Sequence, residues 1–258
     1  MLSKSTMERS IHMLKTLTKG LLLSALTVSS AYASQITWDL TEGVPYGSYN
    51  NSLSYSKDGL NLTVTGWSDT KGPADDKIED ARLGRWNGLG VCNDDEYSKT
   101  RCASPEHSTD NDPGRDGDFD MIMLSFSEAV SLSSFQNGWY AYDSDVSLLA
   151  YTGGSSSYNL NDKDWEGLLS DGWSVAGNYS NTMTKETATS TDLVSKFWLI
   201  GAYNPAFGEL GELCNELNDH FKLRMLTIDT VECPEPATLG MFGLGLAGLL
   251  AARRRKAS

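Results

Sequence analysis

The chain is predicted to hold an all-β domain, an antiparallel β-sandwich or jelly roll. Between residues 34 and 231 no stretch keeps a helical hydrophobic period over several turns. Short runs rich in β-branched and aromatic residues recur there instead, divided by Gly, Asn, Asp and Ser. The segment is about 200 residues long, enough for one domain with its own core.

Seven runs read as strands. Ile36–Leu40 is the first. Leu60–Trp67 alternates, with Leu60, Leu62 and Val64 on one face. Met121–Phe126 and Val130–Tyr140 follow as two strands joined by a turn at Ser127-Glu128-Ala129. Val146–Tyr151, Lys196–Tyr203 and Phe221–Ile228 complete the set. A structureless loop as long as the polar segment 68–120 is improbable in a compact domain, so a short helix is expected over Asp75–Leu83. The polar loop 153–171 is expected to hold a helical turn at Lys163–Leu169, and Gly208–Asp219 reads as a loop or short helix.

The two ends of the chain are of another kind. Lys4, Arg9, Lys15 and Lys19 form a basic region, Gly20–Val28 is apolar, and Ala31-Tyr32-Ala33 is an A-x-A cleavage site. Residues 1–33 therefore read as a signal peptide, with cleavage set by Ala31 and Ala33 and a mature chain beginning at Ser34. At the other end, residues 232–258 hold Pro234-Glu235-Pro236, an uncharged apolar run Ala237–Ala252, and the cluster Arg253-Arg254-Arg255-Lys256. Sixteen helical residues span about 24 Å, short of a hydrocarbon core of roughly 30 Å. Gly240, Gly243, Gly245 and Gly248 weaken that helix. The basic cluster stays on the cytoplasmic side. A short, glycine-spaced span suits transient insertion and processing better than permanent anchoring.

Together, Pro234-Glu235-Pro236, the glycine-rich helix and Arg253-Arg254-Arg255 resemble the PEP-CTERM sorting signal of Gram-negative bacteria. The resemblance implies export, transient anchoring in the inner membrane, and processing by exosortase after signal peptidase has acted. It covers about a tenth of the chain. Within the domain, Asp120-Met121-Ile122-Met123-Leu124-Ser125-Phe126, Gly138-Trp139, Asp143-Ser144-Asp145, Leu148-Leu149-Ala150-Tyr151 and Trp198-Leu199-Ile200-Gly201-Ala202-Tyr203 resemble an exosortase-dependent surface-protein family. That likeness speaks to fold and location, not to activity.

Charge agrees with an exported domain. The chain has 34 acidic and 21 basic residues. Eight of the basic residues but only Glu8 of the acids fall outside 34–236, which leaves 33 against 13. So acidic a surface excludes nucleic acid and anionic membrane as natural partners. Cys92, Cys102, Cys214 and Cys233 all lie in the exported part, and an even number there reads as two disulfides. Three pairings are open. The local ones, Cys92–Cys102 and Cys214–Cys233, are favoured over a zinc site, because no C-x-x-C occurs and only His107 and His220 remain.

Three constellations bear on chemistry. The run Asp110-Asn111-Asp112-Pro113-Gly114-Arg115-Asp116-Gly117-Asp118-Phe119-Asp120 places five carboxylates among turn residues. Asp110, Asp112, Asp116, Asp118 and Asp120 are candidate ligands for Ca²⁺, with Asp94, Asp95, Asp143 and Asp145 as auxiliaries. The spacing departs from an EF-hand, and a solvated acidic loop is the plainer alternative. Among the aromatics, Trp139 and Trp198 fall inside strand patterns and are expected in the core. Tyr140, Tyr142, Trp165 and Trp173 are expected to form an exposed patch able to stack on sugars of an extracellular polysaccharide. Catalysis lacks support: G-x-S-x-G, H-E-x-x-H and the phosphate-binding glycine motifs are all missing. With 33 acids, any glycosidase-like carboxylate pair can be selected after the fact. The expectation is an exported, exosortase-processed surface or extracellular-matrix protein with a non-catalytic domain. A Ca²⁺-dependent carbohydrate-binding module is the alternative, and a secreted hydrolase is a more distant one.

Overall fold

A computed structural model describes residues 34–69, 77–94, 97–98, 101–102, 107–111, 118–210 and 217–231. Ala31, Ala33, Asp95, Asp112, Asp116, Cys214, Cys233, Pro234-Glu235-Pro236 and Arg253-Arg254-Arg255 lie outside them, as does the apolar run 237–252. Among the described residues no helix is long and apolar enough to cross a membrane. Residues 33–231 form one compact unit.

The described residues are nearly all β, as expected. The strands are β1 (Gln35–Asp39), β2 (Tyr49–Asn50), β3 (Ser52–Lys57), β4 (Leu60–Ser68) and β5 (Glu79–Arg85). Then come β6 (Leu89–Cys92), β7 (Tyr97–Ser98), β8 (Arg101–Cys102), β9 (Thr109–Asp110) and β10 (Asp120–Tyr142). The last are β11 (Val146–Tyr151), β12 (Trp173–Tyr179), β13 (Glu186–Ala188), β14 (Ser195–Ala202) and β15 (Asp219–Thr230). A single 3₁₀ turn, Pro205–Phe207, is the helical element among them. Every named strand pairing is antiparallel, and the main sheet runs β1-β15-β6-β5-β4-β10-β14-β11-β12, with β15 also paired to β10.

β10 organises this sandwich-like arrangement. Its first part, from Asp120 to Phe126, lies between β4 and β14. Its second, from Val130 to Tyr142, pairs with β15 and, at Ser134–Gln136, with β13. The register shifts between Ser125 and Val130, where Ser127 and Glu128 face solvent. The two strands expected here are therefore one. Ser127-Glu128-Ala129 is a bulge that redirects the strand into a second layer, not a chain reversal.

Alternation along the strands feeds two cores. Ile122, Leu124, Leu148, Trp198 and Ile200 face an interior shared with Trp38, Leu62, Val64, Phe135, Leu226 and Ile228. Their neighbours Met121, Met123, Leu149, Phe197 and Leu199 point the other way, onto Ile78, Leu160, Trp165, Leu168 and Trp173. Both faces of this part of the sheet are thus covered, which is why its strands read as unbroken apolar runs. The cover is segment 153–172. It is held by turns (Lys163 N to Leu160 O at 3.1 Å, Leu168 N to Trp165 O at 3.2 Å) and by Ile78, whose N donates to Lys163 O at 2.8 Å. The helical turn expected at Lys163–Leu169 is such a series of turns.

Of the short helix expected over Asp75–Leu83, residues 77–83 are described, and they hold no helix. Of these, residues 79–83 belong to β5, paired to β4 and β6, with Ala81 and Leu83 buried while Asp80 is exposed. The order that so long a polar segment requires is supplied here by sheet pairing. The Cys92–Cys102 disulfide forms as expected, its Cα atoms 6.0 Å apart. Cys214–Cys233 falls outside the described residues.

Candidate functional site

The polar end of the β10–β15 ladder gathers the residues with chemical potential. There Trp139 opposes Lys222, Ala141 opposes His220 and Tyr142 opposes Asp219. β9 pairs alongside, setting Thr109 opposite Phe221 and Asp110 opposite His220. Two glycines allow the close approach. A Cβ on Gly138 would lie 1.7 Å from Asn87 O, and one on Gly90 would lie 2.1 Å from His107 O.

A groove of about 300 Å³ opens here, lined by Tyr46, Trp86, Asn87, His107, Trp139 and Lys222. His107 stacks on Trp86 at 3.8 Å between centroids, and Lys222 Nζ sits 3.5 Å over the Trp139 ring. Burial, aided by Lys222, pushes His107 down to about 4. Burial also pushes Lys222 down to about 7, although Asp110 and the Trp139 face favour its charged form. The aromatics are distributed otherwise than expected. Trp165 and Trp173, expected at the surface, are 2% exposed: Trp165 belongs to the cover segment, Trp173 follows it in β12, and both pack into the second core. Trp139 is half-buried in the groove, while Trp198 is in the core as expected. Tyr140 and Tyr142 are exposed.

Three of the five predicted acidic ligands are described, and all are buried: Asp110, Asp118 and Asp120. Asp110 N donates to Asp120 Oδ2 at 3.4 Å, and Asn93 Nδ2 donates to Asp118 Oδ2 at 3.3 Å. Burial, then the charges of Asp110 and Asp118, hold Asp120 well above the usual carboxylate range. Ser108 Oγ lies 3.1 Å from Asp110 Oδ2 and 3.2 Å from His220 Nδ1, and that Nδ1 is 3.3 Å from Asp110. The residue types of a hydrolytic triad meet, but serine and aspartate crowd the same ring nitrogen. A triad needs them on opposite nitrogens, with the serine open to substrate. Ser108 is fully buried.

A second carboxylate group joins residues distant in sequence. One oxygen each of Asp143, Asp145 and Asp219 lies within 4.8 Å of the others. Asp219 and Asp145 have no exposed surface, and Asp143 is half-buried. Asp219 Oδ1 accepts from Asp145 N at 2.6 Å, and its Oδ2 accepts from Asn111 Nδ2 at 2.8 Å. Asp145 Oδ1 accepts from Asn181 N at 2.7 Å, and Asp143 Oδ1 accepts from Ser144 N at 2.7 Å. Burial first, then neighbouring acids, push Asp219 up to about 8; burial likewise pushes Asp145 up to about 6. Sequence reasoning named Asp143 and Asp145 but missed Asp219. At the start of a strand, Asp219-His220-Phe221-Lys222 looks like an ordinary solvent-facing alternation.

Thr230 N, at the end of β15, donates to Ser34 O at 2.9 Å, so the first described residue is tied to the strand that leads into the tail. The PEP-CTERM protein-sorting motif matches residues 232–256. This chain carries a PEP-CTERM sorting signal. The signal implies export, sorting through the membrane of a Gram-negative bacterium, and processing by exosortase. No curated protein and no solved structure matches the chain.

Proposed function

We propose that this PEP-CTERM protein is a surface or extracellular-matrix component whose domain, residues 34–231, is the non-catalytic cargo of exosortase. The sorting motif at 232–256 carries the reading. The acidic exported segment, the Cys92–Cys102 disulfide and the miswired Ser108–His220–Asp110 cluster support it. In the native host, the domain is expected in the surface or matrix fraction. In a strain lacking exosortase activity it should accumulate in the inner membrane. An unchanged distribution would overturn the proposal, and so would turnover by the purified protein on a panel of polysaccharides and esters.

A second reading, a carbohydrate-binding module, is favoured by the groove between Tyr46, Trp86 and Trp139. Aromatic faces beside Asn87 and Lys222 suit a sugar ring with its hydroxyls. Calorimetric titration with the host's own polysaccharide tests it. Saturable heat that Trp139→Ala abolishes is the expected result, and the absence of heat removes the reading.

A further inference from the structure

We propose that Asp143, Asp145 and Asp219 form a binding site for a hard divalent cation, with Ca²⁺ the best match. The three are brought together by the fold, from the β10–β11 turn and the start of β15, and their nearest oxygens lie within 4.8 Å of one another. Burying carboxylates this close is unfavourable unless an opposite charge or a proton relieves it. Among the described residues, Lys and Arg supply no such charge: none of the three acids makes an ion pair with either. The nearby imidazole, His220, is engaged through Nδ1 with Asp110 and Ser108 instead.

A second observation supports the site. Asp145 is completely buried, and its Oδ2 finds no donor, while Oδ1 takes the Asn181 amide. A buried carboxylate oxygen left without a donor is costly, and a cation between the three carboxylates satisfies it. The remaining hydrogen bonds suit a preformed site. The amides of Asp145 and Ser144 and the Asn111 side chain hold the carboxylates, and each bonded oxygen keeps a lone pair. All donors are oxygens, with no thiolate and no free imidazole among them, which selects Ca²⁺ or Mg²⁺ over softer metals. Three carboxylates with irregular surroundings fit the flexible coordination of Ca²⁺ better than the strict octahedron of Mg²⁺. The site draws on Asp143 and Asp145, the auxiliaries of the sequence reading, and on none of the acids of 110–120. It does not depend on whether the domain binds sugar.

The test uses the full chain, purified in mild detergent under oxidising conditions and stripped with EDTA. Titration with CaCl₂ is expected to give saturable heat, with a Kd of about 10⁻⁴–10⁻³ M, typical of extracellular modules. At 10 mM CaCl₂ the unfolding midpoint should rise by about 3–11 °C across that range of Kd. MgCl₂ should give a smaller shift, and KCl at matched ionic strength none. Asp143→Asn, at a half-buried position with one local hydrogen bond, should fold and bind Ca²⁺ at least about tenfold more weakly. Asp80→Asn, on the exposed face of β5, should bind like wild type. Absence of heat and shift in the wild type overturns the proposal, because the cluster would then hold a proton instead. Undiminished Ca²⁺ binding by Asp143→Asn overturns it too, by placing the site elsewhere.

Discussion

The β10–β15 ladder is one pair of strands whose two ends follow opposite rules. Toward Val130 and Thr230 it buries Val130, Leu132, Phe135, Leu226 and Ile228 in the main core. Such side chains contribute about 1.5–3 kcal/mol each. Toward Tyr142 and Asp219 the same ladder buries Asp219, His220 and Lys222. Removing such groups from water costs several kcal/mol per ion. Backbone pairing is common to both ends, so the difference lies in the side chains. The apolar end holds the fold together, and the polar end is arranged at the expense of stability.

Substitutions should separate the two ends. At the apolar end, Phe135→Ala should cost about 3–5 kcal/mol, read from the shift of a urea unfolding midpoint. Breaking the Cys92–Cys102 bridge by Cys92→Ser with Cys102→Ser should remove about 3 kcal/mol, given its separation of 10 residues. The stability gap between oxidised and reduced wild type should agree with it.

At the polar end the effect is one of pH. The folded-state pKa of Asp219, about 8, lies above its ordinary 3.8, so its contribution is complete below 3.8 and is lost as pH rises through 8. Asp145 and Asp120, also raised, act in the same direction. Lys222 opposes them: lowered from 10.5 to about 7, it adds stability as pH rises across that interval. In EDTA, wild type should therefore lose stability relative to Asp219→Asn between pH 4 and 8. Parallel curves would show that Asp219 does not hold its proton in the folded state. Lys222→Met keeps the contact over Trp139 without the buried charge, and at pH 7 should be neutral or stabilising by up to about 1 kcal/mol. Smallest is the exposed Arg224–Asp39 pair at 3.0 Å, where Arg224→Ala should change stability by about 0–1 kcal/mol.

Much of the fold was legible in the sequence, because strands such as Leu60–Ser68 alternate cleanly between core and solvent. β3 and β12 were not, since Ser-Leu-Ser-Tyr-Ser-Lys and Trp-Ser-Val-Ala-Gly-Asn-Tyr bury few of their residues. The unity of β10 was hidden by Ser127-Glu128-Ala129, whose composition suits a turn and a bulge equally. Trp165 and Trp173 were misplaced because a polar segment can still act as a lid, and periodicity does not reveal which loops fold back over a sheet. In the carboxylate cluster, Asp143 and Asp145 could be named, but Asp219 lies far along the chain and meets them only in the folded domain, where its Oδ1 accepts from Asp145 N. The sorting tail was readable throughout, because its message is an order of chemical blocks that needs no tertiary contact.

The most direct test of the account is intact-mass and carboxyl-terminal mass spectrometry of the protein isolated from its own host. The expected product is a mature chain that begins at Ser34 and lacks Arg253-Arg254-Arg255-Lys256, with the new terminus near Pro234-Glu235-Pro236. A chain that still ends in the basic cluster would contradict it and make the tail an ordinary membrane anchor.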